Sequence, residues 1–272
     1  MDILRRNVEV VEVVGLDEAY LNLTGLFSPK ATMRRIVVEI RTETQLTCSV
    51  GISESRMLAK ITSELGKPAG MVVLSRKDAL ERFANHSPSL IPGIGPKTAS
   101  RLESMGVRTL FELRLRDRQE LESAFGPRSG AWLHTRGNLL DDTPVTPEHE
   151  TKSQSAEITF DFDVNRLEEL ERHLGELSEE LCRRLQKREL EGRTIGIKIR
   201  LDDWTNVTRS HTLDEPTDDP AIVGPVALEL LRSYDPQRPV RLLGVRLASF
   251  GNDKAEVKPE PTPGQLQLGL AS

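Results

Sequence analysis

Val8-Glu9-Val10-Val11-Glu12-Val13-Val14-Gly15-Leu16-Asp17-Glu18-Ala19-Tyr20-Leu21 places five valines in its first seven residues, the β-branched type that suits a pleated strand. Val8–Val14 is therefore predicted to be a strand. Only Glu9 and Glu12 interrupt it, and their odd spacing puts them on opposite faces. The strand should be mostly buried rather than cleanly two-faced. A second short run, Ala19–Leu23, follows Asp17-Glu18. Adjacent acids are ordinary on a surface, but beside Val13, Val14 and Leu16 an unpartnered acid is costly. Oxygen ligands at a strand end suit Mg²⁺. Neighbours in a regular strand point to opposite faces, so the two carboxylates can share one ion only if the chain bends there.

Outward from this stretch, Asp2–Arg6 reads as a short helix. Pro29–Glu43 reads as a longer one, with Met33, Ile36, Val37 and Ile40 at helical spacing. Thr47–Ile52 is β-like and Glu54–Leu65 helical, closed by Gly66-Lys67-Pro68-Ala69-Gly70. Met71–Leu74 is a buried strand and Arg76–Phe83 a short helix. From Ile91 to about Leu140 short helices are punctuated by glycine. The acidic, proline-bearing stretch Asp141–Glu150 supplies a linker. Beyond it the rhythm becomes strand 153–163, helix 165–190, strand 193–202, strand 205–213, helix 218–234 and strand 239–249. That βαββαβ order predicts a four-stranded sheet with both helices on one face. The tail after Phe250 reads as disordered.

The second half divides its charge unevenly. Helix 165–191 carries eight acids and six bases, whereas 193–200 and 238–250 carry bases and no acids. Ile195, Ile197, Ile199 and Leu201 share one strand face, and Thr194, Lys198 and Arg200 the other. Leu243, Val245 and Leu247 lie opposite Arg246, and Asn206, Thr208, Ser210 and Thr212 form a wholly polar face. With the apolar faces on the helices, the other side is a basic, hydroxyl-rich platform suited to a phosphate backbone. Glu157 and Asp161 fall on the same side and dilute it.

Ile91-Pro92-Gly93-Ile94-Gly95-Pro96-Lys97-Thr98-Ala99 is the strongest local signal of DNA contact. A helix 97–105 follows at once, with Pro96 suited to its first turn. Gly93 and Gly95 let a phosphate approach the backbone, and the free N–H groups of the helix end bind it with Lys97 nearby. This string resembles the helix–hairpin–helix motif, which grips sugar-phosphate without reading sequence. Phe125-Gly126-Pro127-Arg128-Ser129-Gly130, before a helix 130–136, reads as a degenerate second copy.

Composition sets the outer bounds. At roughly 150 residues per domain, the 272 residues imply two compact units. A 37% apolar content with 19 glycines supports a packed core. The net charge of −5 argues against a histone-like or membrane-surface protein. No apolar run approaches the ~18 residues of a membrane span. Cys48 and Cys182 make neither a disulfide framework nor a CxxC site. His86, His134, His149, His173 and His211 show no metal-binding spacing. A reducing cytoplasm is the expected location.

Taken together, Leu16-Asp17-Glu18-Ala19-Tyr20-Leu21, Ser49-Val50-Gly51-Ile52, Leu58-Ala59-Lys60, Lys67-Pro68-Ala69-Gly70, the hairpin and the βαββαβ unit are similar to a Y-family translesion DNA polymerase, in family order and nearly to Phe250. The resemblance implies an α+β fold: a partial polymerase palm (1–88), an all-helical thumb with the helix–hairpin–helix (89–142), a linker (143–150), a βαββαβ little finger (151–250) and a tail (251–272). It implies template-directed transfer from a dNTP to a primer 3′-hydroxyl with two Mg²⁺ ions. Asp17 would then ligate both metals, Glu18 would be the active-site acid on the primer-side metal, and Lys67 would reach the triphosphate. Gly93, Gly95, Lys97, Lys198, Arg200 and Arg246 would contact DNA.

Gly15 and Asn22 stand where the family more often has Ser and Asp. The family's earlier strand, with a further metal-binding aspartate, and its fingers segment do not precede Asp17. The chain thus resembles a member cut at its N-terminus, and little or no polymerase activity is expected of the isolated polypeptide. Gln265-Leu266-Gln267-Leu268-Gly269-Leu270 resembles the peptide that docks these enzymes on the sliding clamp, with Gln265, Leu268 and Leu270 as anchors. A monomer that binds primer–template DNA and dNTP, with no membrane contact, is the expectation. The alternatives are a non-catalytic DNA- and clamp-binding adaptor, and a hairpin-motif repair accessory or nuclease.

Overall fold

The computed structural model describes residues 1–147 and 150–250. The chain divides into two units, with the boundary between residues 149 and 150.

In the first unit, α1 (Asp2–Asn7) leads into β1 (Val11–Val13), which pairs antiparallel with β2 (Ala19–Leu21). The ladder is shorter than the valine run. Val8 ends α1 and is buried outside the ladder, whereas Val14 already faces solvent at the turn. α2 (Pro29–Thr44) packs Met33 and Ile36 against Val8 and Val11. β3 (Val50–Ile52) and β4 (Met71–Val73) pair in parallel, joined through α3 (Arg56–Leu65). α3 lies close on β3: a Cβ at Gly51 would sit 2.1 Å from the Ala59 carbonyl oxygen. Val50, Ile52 and Met71 join the core of β1, β2 and α2, so both two-stranded sheets rest on one apolar floor.

A second core begins on the other side of α3. Met57, Leu58 and Ile61 pack with Ala79 of α4 (Arg76–Arg82) and with Phe83. The same core holds Ile91, Ile94, Leu102, Leu113, Leu121 and Leu133, from the hairpin and from α5 (Pro96–Ser104), α6 (Leu110–Arg114), α7 (Arg118–Phe125) and α8 (Pro127–Gly137). α8 starts three residues before the expected helix 130–136. Gly130 then falls inside it, where a Cβ would stand 2.3 Å from the Glu122 backbone. That glycine serves the close crossing of α7 and α8.

The second unit has the expected order: β5 (Ser153–Val164), α9 (Leu167–Gln186), β6 (Gly192–Leu201), β7 (Asn206–Thr217), α10 (Pro220–Tyr234) and β8 (Val240–Phe250). The sheet order is β5-β8-β6-β7, with antiparallel neighbours throughout. Leu170, Leu174, Leu177, Leu181 and Leu185 of α9 are buried at helical spacing against Ile195, Ile197, Ile199, Leu243, Val245 and Leu247. Period two in the strands and 3.6 in the helices thus agree on one core face.

Candidate active-site groove and nucleic-acid surfaces

Asp17 and Glu18 sit where the chain turns between β1 and β2. The Glu18 carbonyl accepts from the Val14 N–H at 3.0 Å, so the bend that a shared site needs is present. Both residues are exposed. They open onto a groove of about 1100 Å³ within the first unit, which Tyr20, Lys60, Glu64 and Lys67 also line. β2 and β3 each have one neighbour in their sheets, and both line this groove.

α3 organises the charge along it. Its i, i+4, i+8 positions Arg56, Lys60 and Glu64 meet three partners in turn. Arg56 Nη2 donates to Glu12 Oε1 at 2.6 Å, and its guanidinium lies 4.6 Å from the centre of the Tyr20 ring. Lys60 Nζ donates to Glu18 Oε1 and lies 3.9 Å from Glu64. Glu64 in turn pairs with Lys67 at 2.7 Å. The Glu18 bond holds the Lys60 ammonium above the ordinary lysine value, and the Lys67 bond holds the Glu64 carboxyl below its own. Burial is the largest influence on Tyr20, whose hydroxyl it pushes up. Glu18 and Lys67 thus belong to one charge chain through Lys60 and Glu64, while Asp17 makes no ion pair among the described residues.

Three residues here escaped sequence reasoning. Glu12 is 1% exposed, held by Arg56 and by the Thr146 N–H at 3.1 Å. Asp141, counted above as linker, has a side chain only 4% exposed. It pairs with Arg136 and accepts from the Met57 N–H at 2.9 Å. Burial pushes its pKa up, but the bonds from Thr143, Arg136 and Met57 outweigh that and leave it below its ordinary value. The only sequence signal for Glu12 was an acid inside a valine run; nothing local marked Arg56 or Asp141.

The hairpin is built as its glycines require. Gly93 has φ +100°, a left-handed backbone that glycine adopts freely, and a Cβ there would touch the Trp132 ring at 3.0 Å. Ile91 and Ile94 are buried on either side of it, and the Ile94 N–H donates to the Ile91 carbonyl. Gly95 is the N-cap of α5 and supplies no side-chain cap, so the first-turn N–H groups face outward beside exposed Lys97.

On the second unit's open face, rows of cross-strand neighbours follow the register. Ser155, Arg246, Gly196 and Ser210 form one row; Glu157, Gly244, Lys198 and Thr208 the next; Thr159, Leu242, Arg200 and Asn206 the third. Arg246 is exposed and makes no ion pair among the described residues. Lys198 is tied to Glu157 at 2.8 Å, which partly neutralises it. Arg200 donates to Asn206 at 2.9 Å. Arg238 and Arg241 are also paired, with Asp202 and Asp163. The platform is less basic than the strand composition suggests, because acids from neighbouring strands meet its bases. Gln265, Leu268 and Leu270 lie outside the described residues.

Among the described residues no three His, Cys, Asp or Glu side chains gather as a metal cage. Two exposed carboxylates on a groove nevertheless fit Mg²⁺, which is commonly held by one or two carboxylates with waters and substrate phosphates. No helix among them is long and apolar enough to cross a membrane.

Comparison with known proteins shows the family. Residues 1–64 match the impB/mucB/samB family, 89–138 a DNA polymerase-iota thumb domain, and 151–266 the impB/mucB/samB family C-terminal domain. Proteins named DNA polymerase IV are 38% identical over 93% of the chain in Streptomyces coelicolor, 36% over 99% in Desulfatibacillum aliphaticivorans and 34% over 94% in Clostridioides difficile. The chain spans 54%, 67% and 72% of those relatives. A solved Y-family DNA polymerase chimera matches with a TM-score of 0.80 and 25% identity, over 92% of this chain and 74% of the other. The chain belongs to the Y-family of translesion, DNA-directed DNA polymerases. Its relatives within that class are DNA polymerase IV proteins, and membership implies dependence on a divalent metal.

Proposed function

We propose that this chain takes part in template-directed transfer of a nucleotide from a dNTP to a primer 3′-hydroxyl. The observation that carries this is the Asp17-Glu18 turn opening on the groove that Lys60 and Lys67 line. Asp17 and Glu18 are the carboxylates through which it would hold Mg²⁺. The ion, when bound, neutralises phosphate charge and lowers the pKa of the attacking hydroxyl. Lys67 offers a point charge to the triphosphate. Lys60 holds Glu18 in place, and a cation on that carboxylate would compete with its ammonium. The Gly93–Lys97 hairpin binds the DNA backbone through free N–H groups and a helix end. The open face of the second unit does so through Arg246, Arg200 and its hydroxyls, with Lys198 contributing less.

Two-metal chemistry needs donors on both ions, and although Glu54, Glu64, Asp141 and Asp142 also line the groove, among the described residues none of them gathers with Asp17 and Glu18 into a set of three metal donors. Extension by this polypeptide alone is therefore expected to be slow or absent, although DNA and nucleotide bind. We also propose that Gln265, Leu268 and Leu270 form a clamp-docking peptide, so deleting 264–272 should abolish clamp binding. The functional test incubates labelled primer–template with Mg²⁺, with and without dNTPs. Slow, template-matched addition, or retention of the DNA without addition, fits the proposal. Strand cleavage in the absence of dNTPs would overturn it in favour of a nuclease.

A further inference from the structure

The turn between β6 and β7 presents a tryptophan in a costly way. Trp204 is 62% exposed and has φ +67°. A bulky residue in the left-handed region is strained, and this one buries little area in return. Such outliers persist when their surroundings fix them, and they cluster at functional sites. The surroundings here do fix it. The Trp204 N–H donates to the Leu201 carbonyl at 3.0 Å, and the Leu201 N–H to the Thr205 carbonyl at 2.9 Å. The Thr205 N–H donates to the Asp203 carboxylate, and Arg238 pins Asp202 at 2.8 Å and Asp203 at 3.1 Å.

Two guanidinium groups stand by the indole, Arg241 at 4.7 Å and Arg200 at 5.6 Å from its centre. Arg200 has no carboxylate partner among the described residues, and Arg241 has only Asp163 at 3.7 Å. A second aromatic lies at the same end of the sheet. The ladder between β5 and β8 is interrupted between Thr159 and Val164, and Phe162 within that interruption is 87% exposed. By register this segment runs opposite Val240–Leu242. Arg200 also belongs to the open face carrying Ser155, Arg246, Thr208 and Ser210, so the aromatic end continues that face.

We propose that Trp204, with Arg200 and Arg241, is a stacking site for an unpaired base of a DNA strand that extends beyond a duplex held on the open face. An exposed indole offers a base its flat surface, and the arginines meet the flanking phosphates. A paired, stacked base offers no free face, so the site selects unpaired over duplex DNA. The inference rests on the proposed DNA-facing role of the open face.

The test uses the full chain and compares a blunt duplex with the same duplex carrying an unpaired extension. DNA binding is read by anisotropy of labelled DNA. In a Trp132→Phe background, Trp204 is the one remaining tryptophan and its emission reports on the site. The extension should tighten binding and quench Trp204, and the blunt duplex should do neither. Trp204→Asn keeps a residue that tolerates the left-handed turn. In the otherwise unchanged chain it should weaken binding of the extended DNA by about tenfold, the scale of one lost base stack. It should leave the blunt duplex unaffected, and Trp204→Phe should restore most of the loss. Equal binding of both DNAs with unchanged emission, or Trp204→Asn binding as tightly as the parent, would overturn the inference while leaving the DNA-facing reading intact. Binding of neither DNA would overturn both. Perturbation of Trp204 by a protein partner and not by extended DNA would also overturn it.

Discussion

The buried ion pair of Glu12 and Arg56 holds strand β1, helix α3 and the Thr146 backbone together. Removing one partner of such a pair leaves an uncompensated charge, so Glu12→Ala is expected to cost about 3–5 kcal/mol, read by denaturant unfolding. Asp141 carries a pH signature. Its folded pKa lies below the ordinary value of 3.8, so its contribution is fully present above that value and disappears as pH falls through the folded one. The stability gap between the parent and Asp141→Asn should therefore be wide near neutrality and close on acidification below about pH 4. Neither residue was legible in the sequence. Glu12 finds its partner 44 positions away, and Asp141 caps an N–H 84 positions away. Local pattern reports which face a residue takes, and long-range partners depend on packing. The adjacent acids Asp17-Glu18, by contrast, needed only their neighbours to be noticed, and the turn at Gly15 supplies the bend they lacked on paper.

Elements were easier to read than pairings. The βαββαβ order follows from alternation in 193–202 and 239–249 and from the leucines of 167–186, because both periods select the same buried face. Leu174→Ala, at the centre of that face, is expected to cost about 2–5 kcal/mol, measurable as a shift in thermal midpoint. Register was not readable, and it decides how basic the open face is. Glu157 was expected on the Lys198 side, but only the ladder brings the two to 2.8 Å. Glu157→Gln should free Lys198 and tighten DNA binding at low salt, by up to about fivefold given that an exposed pair is worth roughly 0.2–1 kcal/mol. In the hairpin, Gly93→Ala would force a Cβ toward Trp132 at a left-handed φ. A loss of about 1–3 kcal/mol is expected, together with weaker DNA binding. Lys97→Gln should lower the slope of log K against log salt by about 0.9, the share of one phosphate contact.

At the scale of the whole molecule, an acidic chain with a net charge of −5 holds the bases proposed to face DNA locally, on one hairpin and one sheet face. In its groove Glu18 and Lys67 are each paired with a residue of α3, Lys60 and Glu64 respectively. A nucleotide and a cation bound there would compete with those partners, so binding of the two is expected to be mutually dependent. The decisive measurement is dNTP binding to the full chain on primer–template DNA, with and without Mg²⁺, for the parent and for Asp17→Ala/Glu18→Ala. The parent should retain nucleotide only with Mg²⁺, and the double variant should lose it while still holding the DNA. Nucleotide binding that is indifferent to both Mg²⁺ and the double substitution would contradict the assignment of Asp17 and Glu18 as the metal-binding pair.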